Sequence, residues 1–185
     1  MLDIKKFISY ENDDLYETEI MADRNDLDVQ RVLASNTISS QLNGLNRIEG
    51  FIQEFGDIDY ATVKMSLGFW STESLLQLPV TKFGRPYFDR RIANAEDTSF
   101  DEWLNDLFTV IPGSEPDKAR KYWKEHGTWK TPIIIIKSED FPEADLQGPY
   151  QLYEGHTRLA WLNILDKYKS VPLKENHLVW VIKHK

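Results

Sequence analysis

Tyr150-Gln151-Leu152-Tyr153-Glu154-Gly155-His156-Thr157-Arg158-Leu159-Ala160 decides how this chain folds. The first four residues suit a short strand, and Gly155 breaks it. From His156 to about Tyr168 the apolar residues Leu159, Leu162, Leu165 and Tyr168 return at helical spacing. A strand that turns at a glycine straight into a helix leaves the first N–H groups of that helix without intrahelical partners, directed at whatever lies above the sheet edge. An anion fits there, because the helix dipole adds about 0.3–1 kcal/mol at an exposed site and about 2 kcal/mol at a partly buried one. Arg158, three residues after the glycine, could return its guanidinium to the same anion through a charge-assisted hydrogen bond of roughly 1.5–3 kcal/mol. Thr157 adds a hydroxyl, and His156 adds a group that can be neutral or charged near pH 7. Plainer readings stand beside this one. Gly155 can be only a tight turn, Arg158 a structural salt bridge to an acid, His156 a helix start without a ligand, and Glu154 a solvated carboxylate.

The neighbouring sequence supplies the sheet. Pro132-Ile133-Ile134-Ile135-Ile136 is a continuous β-branched run that fits a strand covered on both faces, expected near the centre of the sheet. Leu178-Val179-Trp180-Val181-Ile182, within 177–184, predicts a closing strand. Ser114 opens a helix that turns Ala119, Tyr122 and Trp123 inward and ends near Gly127. A further helix is predicted after Ser99, which stands three residues before Glu102 and precedes the apolar set Trp103, Leu104, Leu107 and Phe108. Leu75 to Phe83 reads as extended, with Pro79 favouring an edge or a strand beginning, and an arginine-rich turn follows at Arg85, Arg90 and Arg91. Strand, strand, helix, strand, preceded by helices, predicts an α/β or α+β domain over 75–185, a small mixed sheet with packed helices. Residues 1–74 are expected to form a mostly helical N-terminal extension. Its clearest segment runs from about Ser39 to Phe55, where Leu42, Leu45, Ile48, Phe51, Ile52 and Phe55 recur every three or four residues and Gly56 offers a stop.

The composition narrows the function classes. The 185 residues suffice to bury a hydrophobic core without staples. Cysteine is absent, which removes disulfides, thiolate metal sites and cysteine nucleophiles and favours an intracellular setting. No apolar run approaches a signal peptide or a membrane span, so the expected location is cytoplasmic. A net charge of −8 repels polyphosphate backbones at long range and disfavours nucleic acid, while leaving room for a single nucleotide held by a few arginines. The four histidines, His126, His156, His177 and His184, show no metal-ligand spacing.

Three blocks taken together resemble the ParB N-terminal/sulfiredoxin superfamily. They are Leu78-Pro79-Val80-Thr81-Lys82-Phe83 with Arg85-Pro86 and Arg90-Arg91; His126-Gly127 followed by Thr131-Pro132-Ile133-Ile134-Ile135; and Tyr150 through Ala160. They occur in the family's order within 75–185, with Ile92 to Glu115 as an insertion, and the last block is the most specific. The resemblance implies a compact α/β fold whose glycine-initiated helix holds nucleotide phosphates with Mg²⁺, in members that serve as CTP-dependent clamps, free-serine kinases or ATP-dependent sulfinic acid reductases. It implies that Gly155, His156, Thr157 and Arg158 bind phosphate, that Glu154 stands where kinase-like members carry an acid, and that Arg85, Arg90 or Arg91 matches the arginine of the first block. Sulfiredoxins carry a cysteine directly after the glycine. Here that position is His156, which excludes their covalent chemistry. Partition proteins continue into a helix-turn-helix region where this chain ends, and the acidic charge adds to the case against a partition role.

Two functions follow as expectations. The first is a nucleotide- or phosphate-binding protein, acting as a phosphotransferase or nucleotidase with Mg²⁺, in which Gly155 and Thr157 hold phosphate, Arg158 stabilises transferred charge, and His156 or Glu154 moves a proton or supports the metal. The second is a non-catalytic protein-binding module, such as an immunity or antitoxin factor, whose acidic surface would speed association with a basic partner.

Overall fold

The protein was described from a computed structural model covering residues 17–35, 38, 41–42, 62–80, 85, 88–89, 112–144 and 146–185. Five strands form one mixed sheet: β1 (Glu17–Ile20), β2 (Val63–Ser71), β3 (Ile133–Lys137), β4 (Tyr150–Glu154) and β5 (Asn176–His184), in the order β1-β2-β5-β3-β4. β2 runs antiparallel to β5 over nine residue pairs, from Val63 opposite His184 to Ser71 opposite Asn176. β3 lies parallel to β5 and antiparallel to β4, and β1 lies parallel to β2. Among the described residues, four α-helices accompany the sheet: α1 (Leu27–Leu33), α2 (Thr72–Leu76), α3 (Glu115–His126) and α4 (His156–Tyr168).

The isoleucine run of β3 is explained by two cores, one on each side of the sheet. Ile134 and Ile136 join Met65, Leu67, Trp180 and Ile182 in a core closed by Val29, Val32 and Leu33 of α1 together with Ile38 and Leu42. Ile133 and Ile135 join Val179, Leu152 and Trp129 in a second core closed by Trp123 of α3 and by Leu159, Leu162 and Leu165 of α4. All four isoleucines are fully buried. A strand with helices on both faces has no polar face to show, so period-two alternation disappears. β2 turns Val63, Met65 and Leu67 into the first core, and of the residues between them Lys64 is half-buried while Ser66 is buried and donates its hydroxyl to Glu19.

Helix α3 starts and stops where its sequence signals lie. The Ser114 hydroxyl accepts from the Asp117 N–H at 3.4 Å, and Asp117 returns to accept from the Gly113 N–H at 2.9 Å. Gly127 ends it in a left-handed conformation, its N–H donating to the Trp123 carbonyl. Trp123 is buried, and Ala119 and Tyr122 are half-buried.

Two expectations are corrected here. Leu75 and Leu76 are not extended; they close α2, which Ser71 caps by accepting from the Ser74 N–H. A serine cap upstream and Pro79 downstream leave space for one helical turn before the chain extends. Of the described residues in 75–83, only Val80 makes a β-bridge, parallel to Leu152, beside the Leu152 N–H that donates to the Pro79 carbonyl at 3.0 Å. Second, residues 1–74 are not an appendage to a sheet formed by 75–185. β1 and β2 lie inside that stretch, and β2 pairs with β5 along its whole length. Ile38, Gln41 and Leu42 are helical, whereas the remainder of the predicted 39–55 helix and all of the predicted Ser99 helix lie outside the described residues. No helix among the described residues is long and apolar enough to cross a membrane.

Candidate functional site

β4 ends at Glu154, and α4 begins at His156. The whole reversal from sheet to helix therefore falls on Gly155, at φ 108° and ψ 25°, a backbone conformation that disfavours side chains. Packing imposes the same residue type. A Cβ at position 155 would lie 2.5 Å from Cγ2 and 2.8 Å from Cβ of Ile133. Absence of a side chain thus lets the head of α4 sit directly against β3.

No side chain caps α4. The first intrahelical bond is the Leu159 N–H to the Gly155 carbonyl at 2.9 Å, so the N–H groups of His156, Thr157 and Arg158 precede the helical ladder. All three side chains are half-buried, and Gly155 is buried. The Arg158 guanidinium folds back over this first turn, within 3.2 Å of the Cβ position at 155. There Nη2 donates to Oε2 of Glu154 in an ion pair whose members are both half-buried. Arg158 Nε is buried and has no partner among the described residues.

A residue that the sequence did not point to completes the constellation. Gln41 Nε2 donates to the same Glu154 Oε2 at 2.5 Å and approaches the Pro132 carbonyl at 3.3 Å, while its own Oε1 is buried without a partner among the described residues. Glu154 Oε2 is thus held by two donors, one from its own helix head and one from a residue 113 positions away in sequence. A donor at Arg158 Nε and an acceptor at Gln41 Oε1, both buried near one carboxylate, are polar capacity that costs about 1–3 kcal/mol per group if nothing meets it.

Of the residues expected at the site, Glu154, Gly155, His156, Thr157 and Arg158 meet at the helix head. Arg85 is exposed and ion-paired with Asp89 at 3.7 Å, and Arg90 lies outside the described residues. The plainer reading of Arg158 as a structural ion pair has a concrete partner in Glu154. For a Mg²⁺ ion the described residues offer this one carboxylate and no group of three or more acidic or histidine ligands. Such a donor set suits only an ion held chiefly by water and phosphate oxygens. No protein-family profile, curated protein or solved structure was found to match the chain.

Proposed function

We propose that the head of α4 binds a phosphate-bearing small molecule, a nucleotide in the first instance, through the N–H groups of Thr157 and Arg158 and the Arg158 guanidinium. The observation that carries this reading is a glycine-initiated helix without a side-chain cap, with an arginine folded over its first turn. Backbone donors and a guanidinium at one helix head are the groups that phosphate oxygens call for. The resemblance to ParB N-terminal/sulfiredoxin proteins supports the same ligand. In a phosphotransferase or nucleotidase these groups would position the phosphate and neutralise charge building up on it. Glu154, once released from Arg158, or His156 would then exchange the proton. Where Mg²⁺ accompanies the nucleotide, Glu154 would hold it and the proton exchange would fall to His156.

The Glu154–Arg158 pair favours a second reading, in which the constellation braces the β4–α4 turn and the protein acts by binding a basic partner protein. The test is a thermal-shift series with ATP, ADP, CTP, GTP and inorganic phosphate, with and without Mg²⁺, on the wild type and on Arg158→Ala. A ligand at a hundred times its Kd adds about 2.7 kcal/mol to native stability, which at ~2–4 °C per kcal/mol for a chain of this size raises Tm by roughly 5–10 °C. Phosphate binding requires that rise in the wild type and its loss in a folded Arg158→Ala. If no ligand shifts the wild type, the brace is the better account.

A further inference from the structure

His177, the second residue of β5, is 1% exposed and stands on a different element from the residues of the proposed phosphate site. Its ring is wedged against Trp129, with centroids 4.9 Å apart, and Trp123, at 6.2 Å. Both ring nitrogens are engaged by hydroxyls. Nε2 is 2.9 Å from Oγ1 of Thr72, the first residue of α2, and Nδ1 is 2.8 Å from Oγ1 of Thr128, in the turn after α3.

The hydroxyl protons fix the tautomer. Thr72 has one proton, and its Oγ1 donates it to the carbonyl of Lys174 at 2.8 Å, with the Glu175 carbonyl at 3.2 Å. Towards His177 that oxygen can only accept, so Nε2 carries the hydrogen, and Nδ1 accepts from the Thr128 hydroxyl. Neutral His177 thereby ties together three elements that are remote in sequence: α2, the turn between α3 and β3, and β5.

We propose that His177 is an acid-sensitive latch, closed while the ring is neutral and opened by its protonation, which loosens the layer of α2 and α3 from the end of the sheet. A second proton on the ring must enter at Nδ1, where it turns the Thr128 hydroxyl from donor to acceptor, takes from that hydroxyl's own proton the imidazole acceptor it had, and puts a charge on a ring that is almost wholly buried. The charged surroundings do not offset that cost. Lys174, before β5, opposes the charge and outweighs Asp28 of α1, which favours it and is itself ion-paired to Lys174. Glu73 of α2, Lys124, Glu125 and His126 of α3, Lys130 after the turn and Glu175 before β5 are all exposed to water. Burial and Lys174 hold the ring neutral down to about pH 4, against 6.5 for a free histidine.

The sign follows from linkage. Unfolded His177 takes up its proton near pH 6.5 and the native ring near 4, so between these values the unfolded state binds more protons and stability falls with falling pH. The contribution is whole above 6.5, and its loss across the window multiplies the unfolding constant by roughly 300-fold, tenfold for each pH unit.

The experiment is an acid titration of the full chain from pH 7.5 to 3.5, read by tryptophan emission and near-ultraviolet circular dichroism, on the wild type and on His177→Gln. The wild type is expected to lose near-ultraviolet signal and shift its emission to the red between pH 5 and 4, and the glutamine variant, which cannot titrate, to remain flat there. An unchanged wild type, or the same transition in His177→Gln, overturns the proposal. Nitrogen-15 NMR of the wild-type imidazoles needs no variant and decides the matter if His177→Gln does not fold. The latch requires an Nε2–H resonance for His177 that persists to pH 5; an Nδ1–H tautomer, or titration near 6.5, refutes it.

Discussion

Replacing Gly155 by alanine tests the packing that brings the head of α4 onto the sheet. Two costs arise, and the structure separates them. A non-glycine residue at a strained positive φ costs of order 1–3 kcal/mol, and φ here is 108°. The added Cβ also enters space held by Ile133, 2.5 Å from Cγ2 and 2.8 Å from Cβ. Overpacking of that kind costs about 1–3 kcal/mol. Their sum is roughly 2–6 kcal/mol, a large share of the ~5–15 kcal/mol by which a domain is stable. Gly113 provides the control, because it has φ 82° and nothing within 4 Å of its Cβ position, so Gly113→Ala carries the backbone cost alone. Urea unfolding followed by tryptophan emission should therefore place Gly155→Ala well below Gly113→Ala. Ile133→Ala should cost less in the Gly155→Ala background than in the wild type, since it removes the Cγ2 atom that the new methyl group meets. If the two glycine variants lose equal stability, close approach of α4 to β3 is not what position 155 serves.

Other outcomes follow from single contacts. Ser114→Ala removes the hydroxyl that caps α3 and should cost about 1 kcal/mol, read as a lowered urea midpoint with unchanged slope. Asp117 is held well below the usual carboxylate range by Lys121, the Gly113 N–H and Arg120. Its stabilisation is whole above the unfolded value near 3.8 and fades as pH falls below it. Asp117→Asn should therefore lower stability at pH 7 and flatten the pH dependence below 4, a window distinct from that of His177. Gln41→Leu, which removes one of the two donors to Glu154, is expected to disturb the helix head without unfolding the chain, and a nucleotide-dependent thermal shift, where present, should change in size.

Much of the sheet was legible because its signals are local. The β-branched run at 133–136, the strand before Gly155, the helix after it and the closing strand at 178–182 all depend on neighbours within a few residues. β2 carried an equally local signal, Val63, Met65 and Leu67 at period two, yet it sits inside a stretch whose acidic and helical character hides it. Its place beside β5 is a pairing across more than a hundred residues, and alternation alone names no partner. Leu75 and Leu76 went astray because β propensity describes a fit to a half-buried pleated surface, and the Ser71 cap decided the backbone first.

By itself the sequence determined the alternation of strand and helix around Gly155, the caps of α3 and the gathering of Glu154, His156, Thr157 and Arg158 at one helix start, since each rests on covalent neighbours and backbone sterics. Only the tertiary structure decided what those groups meet. Gln41 reaches Glu154 from 113 residues away, Ile133 forbids a side chain at 155, and His177 finds two threonines on separate elements. The physical reason is the same in each case. Burial removes water as the default partner of a polar group, and the partner that replaces it is chosen by the packing of remote elements, which no local pattern encodes.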